Sequence, residues 1–276
     1  MANDTLTLAL VTEAFPHPPD WERLPATLRE AARAGAQLAV LPEIPLNPWS
    51  PASKVALDGD AEEVDGPRQQ ALADAAKDAG LALLGGAIIR DPVTRARHNT
   101  AILYDASGSC LGRYRKVHLP EEEGYWETSH YEPGDEPPAV MEGLPLKVGV
   151  QICSDVNRTS GFQLLGALGA ELVLAPRCTP PQTWERWKLV LRANAVTSST
   201  YVISVNRPAP SPHGLIGGPS IAIGPNAEVL VETTEPLAVV TLDRKAVLAS
   251  RADYPGYLKV FPDLYARGWM SVGEGP

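Results

Sequence analysis

The stretch KVGVQICSDVNRTSG, residues 147–161, predicts an apolar strand that ends at a cysteine shortly before a helix. The strand is expected over 146–152, and the helix is expected to begin near Ser160. A tight turn from strand to helix holds its side chain up at the carboxyl edge of a sheet, the placement used by nucleophile elbows. Cys153 is therefore a candidate nucleophile, and the Ser154 N–H is a candidate donor to a developing oxyanion.

Short apolar runs alternate with segments of helical period on both sides of this turn. Their order predicts an α/β layered fold. Hairpins are expected at 98–116 and in IAIGPNAEVLVE, and an irregular tail is expected from about residue 245. The other predicted strands are 5–12, QLAVLPE, LALLGGAII, ELVLAP and TYVISVN, and the predicted helices are roughly 22–34, 66–80, GFQLLGALGA and WERWKLVLRANAVTSS.

Length and charge limit the kind of protein this chain can be. Its 276 residues suffice for a large core, and we predict one domain over residues 1–276. The net charge of −9 makes the average field repel phosphate backbones and anionic lipid, so neither nucleic acid nor membrane is an expected partner. No apolar run approaches the roughly 18–20 residues of a membrane span, and the acidic amino terminus differs from a secretory signal. A cytoplasmic location is predicted.

The three cysteines, Cys110, Cys153 and Cys178, are widely spaced and form no CxxC motif. This spacing argues against a disulfide framework and against a metal site. A free cysteine is most often a small buried hydrophobe. A cysteine nucleophile needs a base or a cation nearby, because a thiol with a pKa near 8.5 is mostly protonated at neutral pH.

Two charged residues stand at the ends of other predicted strands. Glu43 follows the apolar run of VLPE, and Lys116 ends the predicted hairpin in GRYRK. Either residue alone is typical of a solvated surface position. Both side chains can reach the same sheet edge as Cys153, where a nucleophilic thiol needs a base or a cation.

The segments LAVLPE, GRYRKVHLP and VGVQICSD, in this order and spacing, resemble the carbon–nitrogen hydrolase (nitrilase) superfamily. The resemblance runs from TLTLALV to YPGYLKV and implies a four-layer αββα sandwich of two mixed sheets. It also implies that Cys153 is the nucleophile, Glu43 the general base and Lys116 a fixed cation beside the tetrahedral intermediate. Glu127 matches a second glutamate that positions the lysine and the substrate. No metal or organic cofactor is required by this chemistry.

The substrate-binding residues are expected in loops that flank these segments. Arg177 would pair either with a substrate carboxylate or with an acid such as Glu171. His118 is expected to hold the loop after Lys116 by a hydrogen bond, and Asp155 to brace the turn at Cys153. The predicted substrate-binding set is Trp49, Tyr125, Trp126, Ser154, Arg177 and Thr179.

The expected substrate is a small amide or an N-carbamoyl compound. Nitrilases proper tend to carry Trp-Glu after the cysteine, whereas this chain has Ser154-Asp155, so nitriles are the less favoured alternative. The segment from Lys116 to Glu127 resembles N-carbamoylputrescine amidases. A catalytically silent metabolite-binding member and a thiol redox or acyl-transfer enzyme using Cys178 remain alternatives. Family members commonly associate, so a homodimer or higher oligomer is expected, with the tail crossing to a partner.

Overall fold

The computed structural model describes residues 4–209 and 216–272, and its core is built from two β-sheets. Most of the predicted strands are present, although several are shorter than the sequence pattern indicates. In chain order the strands are β1 Thr5–Val11, β2 Leu38–Val40, β3 Ala82–Arg90, β4 Arg97–Tyr104, β5 Cys110–Arg115, β6 Glu121–Glu122, β7 Tyr125–Trp126, β8 Val148–Val150, β9 Leu172–Leu174, β10 Tyr201–Ser204, β11 Ser220–Ile223, β12 Val229–Thr233 and β13 Leu237–Asp243.

Both large sheets combine parallel and antiparallel strands. The first has six strands in the order β13-β1-β2-β3-β4-β5, and the second has five in the order β12-β11-β10-β9-β8. Strands β1, β2 and β3 are parallel to one another, as are β8, β9 and β10, whereas the other pairs in these sheets are antiparallel. Strands β6 and β7 form a separate two-stranded pair.

Helices cover the outer faces of the two sheets. One apolar cluster joins α1 and α2 to the first sheet, and a second joins the facing sides of the two sheets to α3 and α4. The layers therefore follow the order helix, sheet, sheet, helix, which confirms the predicted αββα sandwich. The helices are α1 Leu24–Arg33, α2 Pro67–Ala79, α3 Ser160–Ala167, α4 Trp184–Ser198, α5 Arg244–Ala252 and α6 Pro262–Met270.

Strand β1 shows why the central strands are apolar on both faces. Leu8 and Leu10 lie in the cluster between the sheets, whereas Ala9 and Val11 lie in the cluster beneath α1 and α2. Side chains alternate across a strand, so a strand covered on both faces needs apolar residues at every position. The parallel strands of both sheets thus occupy the interior, and their carboxyl ends open onto one edge.

The carboxyl-terminal part of the chain differs from the prediction. The irregular tail expected from about residue 245 is wrong, because α5 and α6 occupy most of this segment. Asp243 caps α5 by accepting a hydrogen bond from the Lys245 N–H at 2.9 Å, a start signal that the sequence pattern contains. The preceding LAVVTLD forms β13, which was not predicted and which pairs with β1 over seven residues.

None of the helices in the described ranges combines the length and the apolar character that a bilayer crossing requires. The cytoplasmic location stays a prediction.

Candidate active site

The ends of three strands from both sheets converge on one buried site. Glu43 lies shortly after β2, Lys116 directly follows β5, and Cys153 lies shortly after β8. Their exposed fractions are 1%, 0% and 3%. Three polar residues that are far apart in the chain are thus removed from water together, which is costly unless they satisfy one another.

Lys116 is the centre of a buried ionic cluster. Its Nζ lies 2.8 Å from Glu43 Oε1 and 2.7 Å from each carboxylate oxygen of Glu127. Asn99 Nδ2 also donates to Glu43 Oε1, at 2.8 Å. Glu43 Oε2 is buried and has no hydrogen-bond partner among the described residues. One oxygen of Glu43 is therefore held by the lysine and the asparagine, and the other is left to accept a proton.

The backbone at Cys153 is strained. Cys153 begins the 3₁₀ turn Cys153–Asn157, and its φ of +46° lies in the left-handed region that non-glycine residues rarely adopt. Its N–H donates to Pro176 O at 2.9 Å. Ile44, the residue after Glu43, also has a positive φ, of +38°. Such strain costs about 1–3 kcal/mol per residue and is concentrated at functional sites.

The Cys153 thiol requires a base before it can act as a nucleophile. Burial raises its pKa well above the ordinary value, the carboxylate of Glu43 raises the pKa further, and the Lys116 ammonium opposes both effects. The thiol is therefore protonated at neutral pH. The Glu43 carboxylate is close enough to affect the thiol pKa, and its Oε2 atom has no hydrogen-bond partner among the described residues.

Two carboxylates share one ammonium in this cluster, so ionisation of both would leave a buried negative charge. Burial, opposed by Lys116 and aided by the Glu43 carboxylate, raises the pKa of Glu127 to about 8. Burial disfavours the charged form of Lys116, but the carboxylates of Glu127 and Glu43 outweigh this and raise its pKa well above the ordinary value. The lysine stays charged, and Glu127 is the group that titrates near neutrality.

This arrangement predicts a pH-dependent contribution to stability. The pKa of Glu127 is raised from 4.5 to about 8 on folding, so between these values the folded state binds more protons than the unfolded state. Stability then falls as pH rises through this window and is fully retained below it. Urea unfolding of the parent and of Glu127→Gln from pH 5 to pH 9 measures the effect. The difference in unfolding free energy between the two proteins should change with pH between 4.5 and about 8, and a difference that does not depend on pH would contradict the raised pKa of Glu127.

Aromatic residues predicted to bind substrate lie in two loops that dock on each other. Trp49 Nε1 donates to Gly124 O at 2.9 Å, and the Trp49 ring packs edge-on against Tyr125 at 5.7 Å. Burial raises the pKa of Tyr125, and Cys178 and Cys153 add to the increase. Trp126 lies further out, with Lys54 Nζ 4.0 Å from its ring.

Arg177 is an internal residue with neutral partners. Its Nε donates to Ser204 Oγ at 2.9 Å, and its Nη atoms donate to Thr179 Oγ1 and Pro219 O. Burial lowers its pKa to about 10. The alternative pairing of Arg177 with Glu171 is wrong.

Glu171 instead binds another arginine. Its Oε1 accepts a hydrogen bond from Arg244 Nε at 2.6 Å. Arg244 lies in α5, a helix that the sequence analysis had read as part of the irregular tail.

Asn99 is a site residue that the sequence analysis missed. It lies in β4, its side chain binds Glu43, and its carbonyl accepts the Lys116 N–H at 2.9 Å. The available signal was an amide side chain in the predicted hairpin strand RHNTAILY, since an unpaired amide within a sheet would be costly. Within the described ranges, no group of three or more His, Cys, Asp or Glu side chains has a metal-binding arrangement.

Comparison with known proteins gives consistent matches over nearly the whole chain. The sequence profile of the carbon–nitrogen hydrolases matches residues 12–252. Human omega-amidase NIT2 is 28% identical over 251 residues, which cover 87% of this chain and 88% of that protein.

Two solved structures of an amidase from Nesterenkonia sp. AN1 are also similar. A double mutant in complex with acrylamide is 26% identical, with a TM-score of 0.82 and coverage of 98% of both chains. A glutamine-for-glutamate mutant shows covalent addition of the acetamide moiety of fluoroacetamide at the active site cysteine. It is 27% identical, with a TM-score of 0.78 and coverage of 96% of both chains.

Proposed function

The chain belongs to the carbon–nitrogen hydrolase family, and from that premise we propose that it hydrolyses a small amide through a covalent intermediate on Cys153. The observation that carries the proposal is the buried contact of Lys116 Nζ with Glu43 and Glu127, at 2.7–2.8 Å, beside the strained Cys153 turn. A thiol, a base and a fixed cation are the groups that acyl transfer requires.

In the first half of the reaction, Glu43 Oε2 takes the thiol proton and the Cys153 sulfur attacks the amide carbon. The carbonyl oxygen becomes negative, and we assign its stabilisation to the Lys116 ammonium and the Ser154 N–H. The Cys153 N–H is not assigned this role because it donates to Pro176 O. Glu43 then returns the proton to the leaving nitrogen, and ammonia departs as the C–N bond breaks.

The second half of the reaction starts from the thioester between Cys153 and the acyl group that the first half produced. Glu43, again unprotonated, accepts a proton from water as the water oxygen attacks the thioester carbon. The same two donors hold the oxyanion, the C–S bond breaks, and the sulfur recovers its proton from Glu43. Glu127 holds Lys116 in place throughout, through its two contacts of 2.7 Å.

A primary amide is the substrate class that has the most support. The relatives are named an omega-amidase and an amidase, and the amidase is described with acrylamide and with the acetamide moiety of fluoroacetamide. An N-carbamoyl substrate presents the same carbonyl-to-nitrogen bond and is the second candidate, favoured by the resemblance of the segment from Lys116 to Glu127 to N-carbamoylputrescine amidases.

Ammonia release from a panel of propionamide, succinamate, N-carbamoylputrescine and propionitrile tests this proposal. We expect the highest kcat/KM for a primary amide, and a loss of about 10²–10⁴-fold in Glu43→Gln because its base is absent. The matched control is Glu62→Gln, which changes a buried glutamate that precedes α2 and binds its first turn, and it should leave kcat/KM unchanged. Highest activity on the nitrile would contradict the substrate class. No ammonia from any member would favour a silent binding protein.

We also propose that the chain forms a homodimer or a higher homo-oligomer through its carboxyl-terminal segment. Between residues 254 and 272 many large apolar side chains are more than half exposed, and a patch of this kind is typical of an interface. They include Tyr254, Tyr257, Leu258, Val260, Phe261, Leu264, Tyr265, Trp269, Met270 and Val272.

Light scattering after size-exclusion chromatography measures the association. The parent is expected as a dimer or larger, and Leu264→Asp with Trp269→Asp should shift it toward the monomer, because two charges would have to be buried in the contact. Val93→Asp, at an exposed apolar residue in a turn outside this segment, is the control and should not alter the mass. A monomeric parent would contradict the proposal.

A further inference from the structure

We propose that Asp155 is a positioning residue that holds the Lys116 ammonium and the Cys153 thiol in one fixed arrangement. The inference rests on the proposed function for the roles of those two groups. It is drawn from the contacts of a single carboxylate, which has no exposed surface and which touches both segments.

The first set of contacts closes the turn that carries the thiol. Asp155 Oδ2 accepts a hydrogen bond from the Ile152 N–H at 3.1 Å, and the Asp155 N–H donates to Ile152 O at 3.0 Å. Cys153 lies between these two residues with its positive φ. Reciprocal bonds across the turn oppose its relaxation, so the carboxylate helps to maintain a backbone conformation that is unfavourable for a cysteine.

The second set of contacts lies on both sides of Lys116. Tyr114 Oη donates to Asp155 Oδ2 at 2.9 Å. Asp155 Oδ1 accepts hydrogen bonds from the Val117 N–H at 3.3 Å and from the His118 N–H at 2.8 Å, and it lies 2.7 Å from His118 Nδ1. The lysine is thus bracketed by residues that share one acceptor, and that acceptor belongs to the turn of the thiol.

A carboxylate suits this junction better than any neutral side chain. Five groups converge on its two oxygens, and an ionised carboxylate offers acceptor sites to all of them and no donor. Asparagine would keep one acceptor oxygen but would point an NH₂ group at other donors. Hydrogen bonds to a charged group are also about twice as strong as neutral ones. The two segments are joined again by Ser154 Oγ, which donates to His118 O.

The contacts of Asp155 hold two elements that come from different sheets. The strand β5 leads to Lys116, and β8 leads to Cys153, so no backbone ladder sets the distance between the two functional groups. Asp155 supplies that link. Since a misplacement of 1 Å can cost about 10²-fold in rate, the link has a direct consequence for catalysis.

The test compares Asp155→Asn with the matched variant Glu62→Gln, in a Cys110→Ala background so that Cys153 and the buried Cys178 are the remaining thiols. Glu62 is a buried carboxylate that accepts the Arg68 and Gln69 N–H groups, both at 2.9 Å, at the start of α2. Two readouts are followed for each variant: the rate of Cys153 alkylation by iodoacetamide against pH, located by peptide mass, and the steady-state constants for the best amide.

In Asp155→Asn we expect kcat to fall about 10²-fold with KM within about threefold of the parent, because geometry and not binding is lost. Alkylation of Cys153 should slow about tenfold at pH 7 and its midpoint should move to higher pH, since the Lys116 ammonium, which lowers the thiol pKa, is no longer held beside the sulfur. Glu62→Gln should leave both readouts unchanged even where its Tm falls. Unchanged kcat and an unchanged alkylation profile in folded Asp155→Asn would overturn the inference.

Should Asp155→Asn fail to fold, Tyr114→Phe combined with His118→Ala removes two of the five contacts and leaves the carboxylate. The kcat of that variant should fall about tenfold, because the arrangement of the two segments is only partly lost. A kcat and an alkylation rate equal to those of the parent would overturn the inference. The alkylation readout needs no amide turnover. It therefore distinguishes two failures. The positioning role fails if the variant keeps the alkylation profile of the parent, whereas the proposed function fails if the parent is inactive on every amide.

Discussion

Replacement of Cys153 by alanine is expected to lower kcat/KM for the best amide by about 10⁴–10⁶-fold, the loss seen when a member of a nucleophile–base unit is removed. The sulfur forms the bond to the acyl group in the proposed reaction, and none of the other groups at the site can replace it. In the proposed reaction Glu43 and Lys116 act on the thiol and on its adduct, so direct attack of water on the amide is expected to be slow without the sulfur. The fold should persist, because alanine fits the space of the thiol.

Ammonia release by Cys153→Ala, together with its circular dichroism spectrum, measures this effect. Cys153→Ser is the second variant, and it should also be nearly inactive because a hydroxyl loses its proton far less readily than a thiol. Cys110→Ala is the control, since Cys110 is exposed and lies at the β4–β5 hairpin. Turnover of Cys153→Ala within tenfold of the parent would contradict the covalent mechanism.

Replacement of Lys116 by methionine is expected to damage both activity and stability. The change removes the cation assigned to the oxyanion and leaves Glu43 and Glu127 without their shared partner in a site with no exposed surface. Breaking a buried ionic pair by removal of one member typically costs about 3–5 kcal/mol of unfolding free energy. Loss of one oxyanion donor costs about 10²–10³-fold in kcat, and the altered orientation of Glu43 adds to that loss.

A double variant separates the two consequences. In Lys116→Met with Glu127→Gln, one uncompensated acid is gone, so urea unfolding should show recovery of part of the lost stability. Ammonia release should remain as low as in the single variant, because the cation is still absent. Equal recovery of activity and stability would mean that Lys116 has only a structural role.

Much of the site is encoded locally and was therefore predictable. Glu43, Lys116 and Cys153 each stand at the end of an apolar run with a distinctive flanking pattern, and strand ends collect at sheet edges. Glu127 was identified by its spacing from Lys116 within the family pattern. The structure brings Glu43 and Glu127 into direct contact with the lysine.

The features that were missed depend on pairing between distant segments. Asn99 reaches Glu43 only because β4 lies next to β3 in the first sheet, and neither segment carries a signal of the other. Strand β13 completes that sheet by pairing with β1 from the far end of the chain. The sequence left Arg177 with a substrate carboxylate or an acid such as Glu171 as alternative partners, whereas Glu171 is bound by Arg244 from a helix that was not predicted.

Reaction of fluoroacetamide with the parent protein, followed by peptide mass spectrometry, tests the central claim most directly. As Glu43 takes the thiol proton, the attacking sulfur would bond to the methylene carbon and displace fluoride, which leaves a carbamoylmethyl group on the cysteine. An amide-recognising site predicts one such group on buried Cys153 and none on exposed Cys110, despite the greater access to the latter. Label on Cys110 with Cys153 unmodified would contradict the assignment of Cys153 as the nucleophile of an amide site.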